Sequence, residues 1–266
     1  MVQENINVIK RGNRGKEPLN IEKIHDMVEY AVEDITGVSS SQVEMQSGLQ
    51  FYDGMSTDEI QQILIKSAAD LISLETPNYQ YVAARLLLYS LRKQVIDKLW
   101  DHPHLYDHTK KCIEKGVYDS SILNLYERKD FDRMENWINH NRDYDFTYAG
   151  LRQVIDKYLV QDRSSGEVFE TPQFMYMMIS ATLFAKYPKE KRMSYVKKYY
   201  DAISTYKINI PTPVMAGVRT PIRQYASCVL VDVDDTLPSI FSSDMAIGRY
   251  VAQRAGIGIN AGRIRG

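Results

Sequence analysis

The stretch from Ile210 to Asp235, IPTPVMAGVRTPIRQYASCVLVDVDD, limits the possible folds more than any other part of this chain. A segment marked by Pro and Gly passes into a short apolar run, Cys228-Val229-Leu230-Val231. The run is β-branched and lacks polar alternation, which predicts a buried strand. Cys228 stands at its mouth. Two readings of that thiol are open. A lone Cys beside Val and Leu is ordinarily a small core hydrophobe. A thiol where a buried strand meets a loop able to hold a substrate is also suited to redox or radical chemistry.

The rest of the composition removes several classes. The 266 residues admit two domains and a sizeable core. A net charge of -1 gives no bulk attraction to nucleic acid or to an anionic membrane. Two cysteines form no disulfide framework and point to a reducing, cytoplasmic setting. The N-terminus, MVQENINVIKRG, has no apolar signal core, and the apolar patch Phe174–Phe184 is too short to span a bilayer. The nineteen tyrosines are scattered and define no pathway.

Residues 6–19 are predicted as a small hairpin turning at Gly12-Asn13-Arg14-Gly15. Asn20 is placed to cap a helix with Ile24, Met27, Val28, Ala31, Val32 and Ile35 on one face, ending at Gly37. Ser41–Glu44 and Ser56–Glu59 both fit capping boxes. Thr76-Pro77 opens a long helix expected to reach about Trp100. A short helix, Leu105–Lys115, is stopped by Gly116. Cys112 lies on it as a bystander, and His104 and His108 lack a third ligand for a metal. A hairpin flanks Arg163-Ser164-Ser165-Gly166. A Met-rich core helix follows Thr171-Pro172, and then a helix from about Lys189 to Tyr206 with a solvated basic face that includes Arg192. Another helix runs near Ile240–Gln253. Gly256–Gly262 reads G-x-G-x-x-x-G after a helix, which is not a dinucleotide fingerprint. The glycines there permit close backbone packing.

Several of these blocks together resemble a known family. Pro211-Thr212-Pro213, Gly217-Val218-Arg219-Thr220-Pro221, Arg223-Gln224 and Ala226-Ser227-Cys228, with the later block Gln253–Arg265, look like the start of the catalytic barrel in the large (alpha) subunit of class I, aerobic ribonucleoside-diphosphate reductase. The hairpin and helices of the first hundred residues look like its ATP-cone. The resemblance covers nearly the whole chain but only the first third or so of the family's usual length. It implies a mainly α fold with α/β: an ATP-cone (small hairpin plus helix cluster) over 1–100, a helical domain over 101–207, and over 208–266 the first strands of a ten-stranded α/β barrel.

The resemblance also implies sites. Cys228 corresponds to one of the paired thiols that reduce the ribonucleotide after a thiyl radical abstracts hydrogen from the ribose. Thr212 and Ser227 correspond to contacts with the substrate diphosphate. Lys10, Glu17, Pro18, Leu19, Asn20, Ile21, Glu22, Lys23, Thr57 and Lys93 correspond to the allosteric activity site for ATP or dATP. A helix N-terminus at Asn20 with lysines and a hydroxyl suits a triphosphate in kind. Asp235, Thr236, Leu237 and Arg265 correspond to part of the allosteric specificity site for dNTP effectors. Gln61 departs from the His of well-studied bacterial members and cannot gain charge near neutral pH, so nucleotide binding is implied while the inhibitory response to dATP stays open.

No metal is expected in this chain; the family's di-iron radical cofactor belongs to the small radical-generating subunit. Self-association as a dimer near Ile240–Gln253 and a thioredoxin or glutaredoxin reductant are further implied. The radical cysteine, the second reducing cysteine and the glutamate base of the family find no match here. Two strands of a barrel also leave an unpaired edge. The expectation is therefore that Gly266 ends no natural folding unit, and that a C-terminal portion on a separate chain completes the subunit or the chain is truncated. The alternatives are a non-catalytic ATP-cone nucleotide-sensing module and a helical interaction protein that binds no nucleotide.

Overall fold

The computed structural model describes residues 6–11, 14–48, 50–162, 164–222, 225–253 and 255–266. The turn residues Gly12 and Asn13, and Arg163, Arg223, Gln224 and Arg254 from the motifs above, lie outside the described residues. The chain divides into two compact units, residues 1–102 with 140–156, and residues 103–139 with 157–266.

The first unit opens with the expected hairpin. β1 (Asn7–Ile9) pairs antiparallel with β2 (Lys16–Pro18), with Val8 opposite Glu17. α1 (Ile21–Val32) starts at Asn20, whose side chain accepts the Lys23 N–H at 3.0 Å. It ends at Val32 rather than Gly37. Asp34 turns to φ 59°, and Arg85 takes the carbonyls of Ala31 and Glu33, so a tertiary contact closes the helix early. α2 (Ser40–Gly48) begins one residue before Ser41, so the expected Ser41–Glu44 capping box is absent. Glu44 instead reaches His25 Nδ1 at 2.8 Å. α3 (Thr57–Asp70) carries the Ser56–Glu59 box complete in both directions.

α4 (Tyr79–Ile96) starts two residues after Pro77 and stops at Asp97, in the left-handed region at φ 58°, short of Trp100. It is apolar on nearly every side, the pattern of a central helix, and packs on α1, α3 and, from residues 140–156, on the 3₁₀ turn His140–Asp145 and α8 (Tyr148–Gln153). Arg92, buried on α4, donates to Asp143 at 3.3 Å and to the His140 carbonyl at 2.9 Å, which ties that later segment down.

The second unit holds α5 (Leu105–Glu114), α6 (Ile122–Leu125), α7 (Arg128–Glu135), α9 (Pro172–Phe184), α10 (Lys189–Ser204), α11 (Thr212–Gly217) and α12 (Leu237–Ala252). Every α9 residue from Pro172 to Ala181 is buried, so its methionines fill the core. His104 caps α5 and contacts Asp132, while His108 is buried against Phe174. Arg192 was expected on the solvated face of α10. It is buried, pairs with Asp130 at 3.2 Å and lies over the Tyr126 ring. The segment after Pro211 is helical as α11. Gly217 is required there, because a Cβ would stand 3.0 Å from the Ile222 carbonyl oxygen.

β3 (Cys228–Asp232) runs parallel to β4 (Gly256–Asn260), with α12 as the crossover. The strand is where the apolar run predicted it, but it is not buried. Its residues alternate between exposed and half-buried, and Leu230 is 87% exposed. A two-stranded parallel sheet has two faces to cover, and among the described residues α12 is the helix that packs against it. The glycines of β4 do bring backbones close: a Cβ on Gly256 would lie 3.2 Å from the Ser227 carbonyl, and one on Gly258 would collide with Leu230. Among the described residues the fold is thus rich in helix, with two small sheets.

Candidate functional site

A cavity of about 330 Å³ opens in the first unit between β1, β2, α1, α3 and α4. Of the residues expected at a nucleotide site, Lys10, Glu17, Leu19, Asn20, Lys23, Thr57 and Lys93 line it. Pro18, Ile21 and Glu22 are exposed and do not line it. Gln61 is buried in its wall, where its amide donates to the Leu86 carbonyl at 2.8 Å.

The hairpin delivers Lys10 and Arg11, α1 delivers Lys23 from its capped first turn, and α4 delivers Lys93 from its last. Lys10 pairs with Glu17 at 2.7 Å, Arg11 with Asp58, and Arg14 with Asp97 at 3.2 Å. Among the described residues, Lys23 and Lys93 have no carboxylate within ion-pair distance. Burial of Lys93, followed by the charges of Arg11 and Lys23, lowers its ammonium from the ordinary value. Among the described residues Arg11 Nη1 is buried without a hydrogen-bond partner, and the Thr57 hydroxyl accepts from the Arg11 N–H at 3.2 Å. A pocket with more cations than carboxylates, one of them destabilised by burial and then by neighbouring cations, favours a compact polyanion. Apolar Ile24, Met27, Ile60 and Leu64 line the remainder and suit a flat ring. Arg11, Arg14, Asp58 and Asp97 were not singled out from sequence. Arg11 and Arg14 flank the turn of the hairpin, where local sequence carries a turn signal and none for a charged site.

In the second unit, Cys228 is an exposed free thiol, with the Ser227 hydroxyl 3.9 Å from its Sγ. Thr212, exposed at the start of α11, has its hydroxyl 3.5 Å from that of Tyr158, and no described hydrogen bond joins it to Ser227 or Cys228. Cys112 is buried, and burial foremost, with Glu170 nearby, pushes its thiol up to about 12. At the N-terminus of α12 the structure brings together the four residues expected at a specificity site. Asp235 pairs with Arg265 at 3.3 Å, the Thr236 side chain caps α12 through the Ser239 N–H at 3.3 Å, and Leu237 is exposed beside them. Arg263, which joins Asp234 at 3.1 Å, was not foreseen there. Among the described residues no group of three or more His, Cys, Asp or Glu is placed to hold a metal, and no helix is long and apolar enough to cross a membrane.

Residues 6–94 match the ATP cone domain, and residues 144–223 match the ribonucleotide reductase all-alpha domain. The chain is 52% identical over 250 residues to the ribonucleoside-diphosphate reductase subunit alpha of Haemophilus influenzae, a match covering 94% of this chain and 33% of the relative. It is 50% identical over 264 residues to the ribonucleoside-diphosphate reductase 1 subunit alpha of Escherichia coli, covering 99% of this chain and 34% of the relative. A more distant relative is subunit alpha of Enterobacteria phage T4, 42% identical over 98% of this chain and 34% of its own length. The chain thus spans about a third of the length of the curated relatives it matches. The chain thus carries an ATP cone domain followed by a ribonucleotide reductase all-alpha domain, and over nearly its whole length it is similar to the corresponding third of ribonucleoside-diphosphate reductase alpha subunits.

Proposed function

We propose that this chain is the amino-terminal part of the large subunit of a class I ribonucleoside-diphosphate reductase. It supplies an activity site for ATP or dATP, part of a dNTP specificity site, and one reducing thiol. Functionally it divides into the ATP-cone at 1–100, a helical domain at 101–207 and the first strands of a ten-stranded barrel at 208–266. It works in the cytoplasm with a polypeptide carrying the rest of the barrel, with a radical-generating small subunit, as a dimer, and with a thioredoxin-type reductant.

The observation that carries the reading is the cationic cavity of the ATP-cone, where, among the described residues, Lys23 and Lys93 have no carboxylate within ion-pair distance and stand beside an apolar wall. Its size and charge suit a nucleoside triphosphate. Cys228 supports the catalytic half of the reading, because its thiol is exposed at the mouth of a strand that little else covers. In the reaction, two thiols each give one electron and one proton, the ribose 2′-hydroxyl leaves as water, and the thiols become a disulfide. Thr212 and Ser227 present hydroxyls suited to diphosphate oxygens.

Two measurements test this. Calorimetry with ATP and dATP should show one site in this chain, and Lys93→Ala should weaken it. Reconstitution with a polypeptide carrying the remaining barrel and with the small subunit should give turnover that Cys228→Ser abolishes. Full turnover by the serine variant would reduce the chain to a nucleotide sensor.

A further inference from the structure

The cavity's charges are arranged in pairs, and the pairs are unequal. Arg14–Asp97 lies largely in solvent, with side chains 63% and 64% exposed, whereas Lys10–Glu17 and Arg11–Asp58 are half-buried, and of the three basic side chains Arg11 is the least exposed, at 28%. Both Nε and Nη2 of Arg11 converge on Oδ1 of Asp58. That edge is the one with which a guanidinium forks an oxyanion. Asp58 stands in the first turn of α3, where the helix end also favours negative charge. Its carboxylate therefore fills the kind of place a phosphoryl oxygen takes, while Nη1 of the same guanidinium is buried with no hydrogen-bond partner among the described residues.

Resting on the reading of this cavity as a nucleotide site, we propose that Asp58 is an internal counter-ion that a polyphosphate displaces from Arg11, and that this exchange sets how many phosphates a ligand must carry. Lys23 and Lys93 are available at once and serve one phosphate. Arg11 becomes available when the ligand brings enough further charge to replace Asp58. Asp58 thus holds back part of the affinity for long phosphate chains and none of that for short ones.

The test is calorimetry on the full chain with ATP and AMP, comparing the parent with Asp58→Asn, which keeps the side-chain shape at a half-buried position. ATP should bind the variant about three- to tenfold more tightly, the range expected when a weak competing ion pair is removed, and AMP should bind as in the parent. Arg11→Ala should abolish the gain, so that Arg11→Ala with Asp58→Asn binds ATP no better than Arg11→Ala alone. Equal or weaker ATP binding by Asp58→Asn, with the parent binding ATP, overturns the proposal alone and makes Asp58 an anchor that holds Arg11 in position. A parent chain that binds no ATP overturns both the proposal and the site on which it rests.

Discussion

Arg219 and Glu170, 49 residues apart, form an ion pair from which solvent is excluded at both side chains. Glu170 also accepts from the Val160 N–H at 2.7 Å and from the Tyr118 hydroxyl, and Arg219 donates onward to the carbonyls of Met215 and Tyr158. Burial, with Glu170 beside it, drives the Tyr118 hydroxyl far above its usual range, while Glu170 keeps Arg219 charged against the opposing effect of burial. The node joins α11 to the loops at 118 and 158–170. It anchors the start of the segment that leads from Thr212 to Cys228.

Glu170→Gln should cost about 3–5 kcal/mol, because it leaves a buried guanidinium without its counter-charge. Urea unfolding followed by Trp137 fluorescence, in a Trp100→Phe background, reads the second unit. A loss under about 1 kcal/mol would mean that the pair is not buried in solution.

Lys93→Ala should weaken ATP binding about ten- to a hundredfold, the range for losing a charged hydrogen-bond donor. The lowered ammonium of Lys93 adds a pH dependence. A bound polyanion raises it back, so binding takes up a proton and affinity falls as pH rises through the lowered value. Calorimetry at alkaline pH in buffers of different ionisation enthalpy should detect that uptake in the parent and lose it in the variant.

His102 and His140 stack with centroids 3.5 Å apart. Burial first, then Arg92, holds His102 down to about 4, and burial first, then His102 and Arg92, holds His140 down to about 3. Both rings are neutral in the folded unit at neutral pH, whereas the unfolded chain takes up protons near 6.5. Stability is therefore flat above about pH 7 and lost as pH falls from 6.5 toward 4, by roughly 2 kcal/mol per ring at pH 5. Unfolding midpoints at pH 7.5 and pH 5, compared with His102→Gln/His140→Gln, should show the loss in the parent and a smaller one in the variant.

Brief iodoacetamide treatment of the folded chain should label Cys228 and spare Cys112. The first is exposed, while the second is buried with its thiol held near 12. Mass spectrometry should find one label before denaturation and two after. Labelling of Cys112 in the native chain would contradict the packing of α5.

Local chemistry accounts for what was legible along the chain. Asn20 and Ser56 cap their helices because a side-chain oxygen finds an N–H three residues on, a contact that needs no other part of the molecule. The hairpin of β1 and β2, the Met-filled α9 and the strand at Cys228 follow from equally short-range patterns. Helix ends were less legible where a distant group set them, as Arg85 does for α1.

What the residues alone determined, then, is where helices and strands begin and which stretches carry chemistry. Charge partners were decided by tertiary structure. Arg192 and Arg219 read as ordinary basic residues until folding buries them against Asp130 and Glu170. The cavity likewise exists because cations from a hairpin and two helices, more than eighty residues apart at the extremes, arrive at one place. Periodicity predicts which face a side chain takes, but not which opposite charge will meet it there. Desolvation is settled by three-dimensional packing, and burial energies and pKa values follow from it.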